Sequence, residues 1–252
     1  MEQDQRALEF VMEAGRTLLE NGAEVFRVQQ TMEIMAQSLG VQAFGVYVLT
    51  NGIFASAGQL GEVRYLPGAV VHLGRVERLN ALSRALAKGE VGLDEAFERL
   101  NEIRALPAAP PAARLLACGV GTGCFAVLFG GGLAEGLAAL AIGLLLQGML
   151  LVAGRAGMNK IVTHMGGAAL VALAALFCRA LAPGLAAGVV IIGGLMPLTP
   201  GIALTMSIRD FVNGDYLSGA IRLLDALLIA GFLACGVGVV LGLARLFAGV
   251  VL

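Results

Sequence analysis

The stretch that decides the fold is Met196-Pro-Leu-Thr-Pro-Gly201. Two prolines and a glycine interrupt an apolar run there, and proline breaks a helix because it lacks a backbone donor. Broken backbone and unpaired charge are costly in hydrocarbon, so a membrane segment that keeps both indicates a transport site. The polar residues that follow this stretch are Arg209-Asp210, Gly214-Asp215, Ser218-Gly219, Arg222 and Asp225.

Charge is divided unevenly along the chain. Of the 35 Asp, Glu, Lys and Arg residues, only 10 lie in residues 115–252. We therefore predict an α-helical integral membrane protein with an N-terminal cytoplasmic α+β domain, residues 1–111, joined to a transmembrane domain, residues 112–252. The net charge of −1 gives no case for nucleic acid as a partner.

The apolar and polar residues of the first domain alternate with two periods. Apolar residues with helical spacing predict two helices before and two helices after a stretch rich in β-branched and aromatic residues. Within that stretch, Asn51-Gly52 predicts a two-residue hairpin turn. His72 is expected to be a surface or core histidine, and the polar stretch 21–29 a helix cap with solvated charges. The predicted helices are 5–20, 23–39, 75–88 and 93–104, and the predicted strands are 41–50, 53–57 and 62–66.

Five apolar runs in the second domain are about 20 residues long, which suits the hydrocarbon core. Gly119-Val-Gly121-Thr-Gly123 in the first run resembles a phosphate loop, but no strand precedes it, so close helix packing is the favoured account. An odd number of spans means that any inverted repeat would need a second chain. The predicted spans lie near 113–131, 134–153, 161–180, 185–207 and 218–244.

The positive-inside rule gives the orientation of these spans. With the N-terminal domain in the cytoplasm, five basic residues lie on the cytoplasmic side and Arg179 and Arg245 on the other. We therefore expect a multi-pass protein of the inner (plasma) membrane, with its C-terminus on the outer side. The five cytoplasmic residues are Arg114, Arg155, Lys160, Arg209 and Arg222.

Several polar residues of the spans have two interpretations. Lys160 and His164 share a helix face, and Lys160 either marks the cytoplasmic side or attracts an anionic substrate. Pro197 and Pro200 either expose carbonyls and helix ends to a ligand, as in transporters with discontinuous helices, or form a harmless kink. Asp225 either forms an intrahelical ion pair with Arg222 or is a functional acid.

Pro197-Leu-Thr-Pro-Gly201, Arg209-Asp210, Gly214-Asp215 and Ser218-Gly219, with the α+β domain, resemble the threonine/serine exporter family. The closest similarity is to its shorter form, the YjjP-like subunit of a two-component exporter. The resemblance implies a small YjjB-like membrane subunit as partner, and export of threonine and serine or of C4-dicarboxylates such as succinate. It also implies dependence on the proton-motive force.

The leading hypothesis is one subunit of a secondary exporter for a small carboxylate, without enzymatic activity, cofactor or metal. Helix N-termini and cations would bind the carboxylate, and Asp210 or Asp225 would carry the coupling proton or balance charge. The alternatives are a regulatory or scaffold subunit whose transport path lies in the partner, and an intramembrane enzyme. The candidate path residues are Lys160, His164, Pro197, Thr199, Pro200, Gly201, Arg209, Ser218 and Arg222.

Overall fold

The computed structural model describes residues 2–66, 68 and 70–248, and its contacts divide the chain into two units. One unit is Met1–Ala108 with Leu204–Leu223, and the other is Ala109–Ala203 with Leu224–Leu252. The elements are α1 (Glu2–Glu20), α2 (Val25–Ser38), β1 (Phe44–Leu49), β2 (Gly52–Ala57), β3 (Leu60–Tyr65), α3 (Leu73–Ala87), α4 (Leu93–Ala105), α5 (Pro111–Leu128), α6 (Leu133–Arg155), α7 (Lys160–Leu181), α8 (Ala187–Leu195), a 3-10 helix (Met196–Leu198), α9 (Gly201–Val212) and α10 (Tyr216–Ala248).

The first unit has the predicted order of two helices, three strands and two helices. Helix α1 supplies much of its core, because Phe10, Val11 and Met12 are fully buried. The ring of Phe10 meets that of Phe97 on α4 edge-on, with 5.2 Å between the centroids. This apolar core is built from residues between Ala7 and Ile103, so α1 to α4 and the sheet share one interior.

The sheet is an antiparallel meander, β1-β2-β3. The first turn is shifted by one residue from the prediction: Gly52 pairs with Leu49 inside the ladder, and Thr50-Asn51 forms the loop. This register places Val48 opposite Ile53, and both side chains are buried. Both residues therefore lie on the face of the sheet that contacts the core.

Small residues bring the helices of the second unit close together. A Cβ on Gly193 of α8 would lie 2.7 Å from the backbone nitrogen of Ala126 on α5, which leaves no room for a side chain. Gly119 and Gly123 lie inside α5, where they contact α6. The glycine motif therefore serves helix packing, as expected for membrane helices.

Four helices of the described chain are long and apolar enough to cross a membrane, or five if one bent pair counts as a single span. The bent pair falls on the predicted span 185–207, which the structure breaks into two helical pieces at an angle of 59°. Thr199 is extended, with ψ of 137°, as expected for a residue before proline. The interruption predicted at Pro197 and Pro200 is therefore confirmed as a break between two helical pieces.

The last helix, α10, has 33 residues. A membrane crossing takes about 20 residues, so α10 is longer than the predicted span 218–244 and longer than one crossing needs. Its first residues, Tyr216 to Leu223, belong to the first unit. They form a helical hairpin with Leu204–Val212. This hairpin contains four of the charged residues that follow the proline motif: Arg209, Asp210, Asp215 and Arg222.

Candidate functional site

The hairpin of α9 and α10 turns at residues 213–215. Gly214 has φ of +83°, a conformation that glycine adopts without strain. The backbone N–H of Asp215 donates to the carbonyl oxygen of Asp210 (2.9 Å), and the Asp215 carboxylate accepts a hydrogen bond from the N–H of Ser218 (3.3 Å). Asp215 therefore caps α10, and the Gly-Asp of the sequence motif is the turn itself.

The two arms of the hairpin lie in direct contact. The hydroxyl of Ser207 on α9 donates to the carbonyl oxygen of Gly219 on α10 (2.9 Å). A Cβ on Gly219 would lie 2.9 Å from the ring of Phe211, so a larger residue would force the arms apart. Ser218-Gly219 in the sequence thus allows two helices to approach closely.

A buried ion pair joins the arms. Asp210 Oδ2 and Arg222 Nε lie 3.1 Å apart, and the two side chains are 5 % and 18 % exposed. A hydrogen bond from Arg222 Nη1 to Met206 Sδ (3.1 Å) holds the other end of the guanidinium. We call Ser207, Asp210, Ser218 and Arg222 the hairpin cluster.

Three buried atoms of the hairpin cluster have no hydrogen-bond partner among the described residues: Asp210 Oδ2, Arg222 Nε and Ser218 Oγ. The Asp210–Arg222 contact has the distance of an ion pair without hydrogen-bond geometry. Ser218 and Arg222 share a face of α10 at i, i+4. Buried polar groups are normally hydrogen-bonded, so the cluster has spare hydrogen-bonding capacity for a polar solute or water.

The second unit has an ion pair of its own. Lys160 Nζ at the start of α7 donates to both carboxylate oxygens of Asp225 on α10, at 2.7 and 2.6 Å. Each side chain is about half exposed, 50 % and 47 %. The intrahelical Arg222–Asp225 pair considered from sequence is therefore wrong, since each residue pairs with a different helix.

The other candidate residues of α7 and of the broken span make local hydrogen bonds. His164 Nδ1 lies 2.8 Å from the carbonyl oxygen of Lys160 one turn earlier, so Nδ1 carries the donated proton. Thr199 donates from its hydroxyl to the carbonyl oxygen of Met196 (2.7 Å) and from its N–H toward Leu195 and Met196. The carbonyl oxygens of Leu195 and Met196 therefore already accept hydrogen bonds. Pro197, Pro200 and Gly201 form the break itself.

Arg209 and Glu24 form an ion pair within the first unit, at 2.6 Å. Glu24 precedes α2 but makes no capping hydrogen bond. The expectation of a cap with solvated charges is thus wrong for Glu24. Its partner lies 185 residues away in sequence, so no local pattern identifies it.

Two further polar residues have structural roles. Glu135 of α6 accepts hydrogen bonds from the N–H of Gly132 (2.8 Å) and the N–H of Ala186 (3.1 Å), which ties the starts of α6 and α8 together. His72 caps α3 by accepting from the N–H of Arg75 (3.2 Å), and its Nε2 lies 3.1 Å from the carbonyl oxygen of Pro107. Within the described residues, no His, Cys, Asp and Glu side chains gather in a metal-binding group.

Comparison with known families gives one match. The family model described as "Putative threonine/serine exporter" (ThrE) matches residues 9–244. The match therefore covers both units, the broken span and the hairpin. Comparisons with curated proteins and with solved structures gave no match.

Proposed function

Because this chain belongs to the threonine/serine exporter family, we propose that it is a subunit of a secondary exporter that moves a small carboxylate out of the cytoplasm. Its apolar helices make it a multi-pass membrane protein. The observation that carries the proposal is the hairpin cluster. A buried ion pair with spare hydrogen-bonding capacity suits reversible binding of a charged solute.

The proposed mechanism is an exchange of partners at Arg222. In the resting state Asp210 balances the charge of Arg222 (3.1 Å). A solute from the cytoplasm would take the place of the Asp210 carboxylate at the guanidinium, to which a carboxylate binds in a bidentate manner. The Ser218 hydroxyl would donate to the same carboxylate. After release of the solute outside, Asp210 would take up a proton there and lose it in the cytoplasm, which restores the Asp210–Arg222 pair and couples export to inward proton movement.

Lys160 and Asp225 are proposed to balance charge in the second unit. Each Asp225 oxygen accepts from the Lys160 ammonium, so protonation of Asp225 would weaken the contact between α7 and α10. Such an ion pair offers a second place for the coupling proton. The N-terminus of α10 is capped by Asp215, so we assign the solute carboxylate to Arg222 and not to that helix end.

The substrates proposed are threonine and serine or a C4-dicarboxylate such as succinate, driven by the proton-motive force. A small YjjB-like membrane subunit would complete the exporter, and the protein would reside in the inner (plasma) membrane. The support for these finer statements is the resemblance of the proline motif and the hairpin motif to the two-component form of the family.

The test is export from loaded cells that produce the chain with and without the partner subunit. Cells are loaded with labelled threonine, serine or succinate, and the appearance of label outside is followed with and without an uncoupler. We expect export only when both subunits are present, and we expect the uncoupler to abolish it. Export of none of the three solutes at verified protein levels would overturn the proposal.

Site variants connect the function to the hairpin cluster. Asp210→Asn with Arg222→Gln replaces both charged groups with neutral amides and is expected to abolish export. The matched control is Arg6→Gln with Asp94→Asn, an exposed ion pair of the first unit (2.7 Å), which should export normally. Normal export by the Asp210/Arg222 variant would place the transport path in the partner.

The proposed orientation has its own test. Reporter fusions after residue 110 and at the C-terminus distinguish the two sides of the membrane: a fluorescent protein matures in the cytoplasm, and alkaline phosphatase is active outside it. We expect fluorescence from the first position and phosphatase activity from the second. The opposite pattern would exclude entry of a cytoplasmic solute from the side of Arg209 and Arg222.

A further inference from the structure

A cleft in the first unit lies between α2 and α3. Its volume is about 520 Å³, and it is bordered by the loop after α1 and by Met206 of α9. Helix α2 contributes residues spaced by one turn, from Arg27 to Ile34, and α3 contributes a matching row from Leu73 to Arg84. We call this space the α2–α3 cleft.

The charge of the α2–α3 cleft is positive. Arg27 and Arg84 line it, and neither guanidinium has an ion-pair or hydrogen-bond partner among the described residues. Glu24, the acidic residue of the described lining, already binds Arg209 at 2.6 Å. Helix α2 begins at Val25 beside the cleft, and its dipole adds positive potential there.

Polar and apolar groups are mixed in the rest of the lining. Ser83 is 5 % exposed, and its hydroxyl has no hydrogen-bond partner among the described residues. Asn80 lies one turn earlier on α3, and its amide likewise has no partner within the described chain. Leu18, Ile34 and Val76 supply apolar surface. This combination fits a short carbon chain with a carboxylate at one end and a hydrogen-bonding group nearby.

We propose that the α2–α3 cleft is a binding site for a small organic carboxylate, in which Arg27 and Arg84 bind the carboxylate and Asn80 and Ser83 bind a polar substituent. Arginine offers two parallel N–H donors to a carboxylate, and two unpaired arginines on one cleft leave positive charge to be balanced. This site is separate from the hairpin cluster and does not depend on the proposed export.

The site borders the hairpin through two contacts. Met206 lines the cleft, and its sulfur accepts from Arg222. Glu24 lines the cleft and binds Arg209 of α9. A ligand that moves either side chain therefore changes a contact of α9, which gives the cleft a route for influencing the hairpin.

The test is binding of labelled threonine and labelled succinate to the purified full-length protein, by equilibrium dialysis. All variants are made in the background Asp210→Asn with Arg222→Gln, which removes the proposed transport site and leaves the cleft. Arg27→Gln with Arg84→Gln should weaken binding about tenfold or more, because two charged donors are lost. Thermal unfolding verifies that each variant is folded.

Arg78→Gln is the matched control, since Arg78 is an exposed arginine of α3 outside the cleft lining. The site would be supported if Arg78→Gln preserves carboxylate binding and Arg27→Gln with Arg84→Gln removes it. Absence of binding before the cleft substitutions, or equal affinity in both variants, would overturn it. Tighter binding of inorganic phosphate than of either carboxylate, with the same dependence on Arg27 and Arg84, would overturn the carboxylate assignment. Normal export by the Asp210→Asn with Arg222→Gln background, together with intact cleft binding, would count against the transport site alone.

Discussion

The decisive residues are those whose charges are buried. Asp210 and Arg222 lie in the hairpin at 5 % and 18 % exposure. Taking both out of water is expensive, and hydrophobic replacement of a buried pair is often neutral or stabilising. The cost of burying the pair therefore supports the functional role proposed for it.

The pair also makes a stability prediction. Asp210→Ala leaves Arg222 buried without its counter-charge and should lower the free energy of unfolding by about 3–5 kcal/mol. Asp210→Leu with Arg222→Met should recover most of that loss. The measurement is the midpoint of denaturant unfolding in detergent. The control, Asp94→Ala, removes an exposed carboxylate from its ion pair with Arg6 and should change stability by about 1 kcal/mol or less. Equal losses in Asp210→Ala and Asp94→Ala would show that the pair is not buried in the folded protein.

At the scale of elements, proline and glycine set the architecture. Pro197 and Pro200 end α8 and allow α9 to start in a new direction. Gly193 allows α8 to touch the backbone of α5. The membrane helices are therefore positioned by prolines, which lack a backbone N–H donor, and by glycines, which lack a side chain. This is expected where the hydrophobic effect does not drive helix association.

Two glycines of α8 test this account. Gly193→Leu should destabilise the protein by about 1–3 kcal/mol or more, because the group it would meet is backbone and cannot move aside. Gly188→Leu is the matched control on the same helix, since a Cβ there meets nothing within 4 Å. Size-exclusion profiles and thermal midpoints in detergent provide the comparison. A Gly193→Leu protein as stable as Gly188→Leu would contradict the close α5–α8 contact.

Much of the fold is predictable from local sequence, and much of the site is not. Periodicity identifies the helices of the first unit and most of the spans, because burial of one face dictates apolar spacing. The Thr50-Asn51 loop lies one residue before the Asn-Gly signal, because the strand pairing extends to Leu49 and Gly52. The pairs Glu24–Arg209 and Lys160–Asp225 join residues 185 and 65 positions apart, so only the tertiary structure reveals them.

For the whole molecule, the first unit has a core that is complete without the segment from α9 and α10. The buried apolar cluster lies entirely between Ala7 and Ile103, and the Glu24–Arg209 pair has one side chain half exposed. The loss of such a pair costs about 1 kcal/mol or less. We therefore predict that a fragment of residues 1–108 folds by itself.

The measurement is circular dichroism of this fragment with thermal and urea unfolding. A mixed helix and strand spectrum and one cooperative transition are expected. A second fragment with Phe10→Ala, which empties the core beside Phe97 (5.2 Å), should lose about 3–5 kcal/mol. A first fragment without a cooperative transition would mean that the unit needs the hairpin to fold.

The central claim is that the Asp210–Arg222 pair binds the exported solute, and a charge swap tests it most directly. Asp210→Arg with Arg222→Asp keeps an ion pair between α9 and α10 but moves the cation to the other helix. The measurement is export of labelled threonine and succinate at matched membrane levels of protein. We predict a folded protein whose export falls about tenfold or more, because a charged hydrogen bond is worth about 1.5–3 kcal/mol. Export at the rate of the unsubstituted protein would contradict the account.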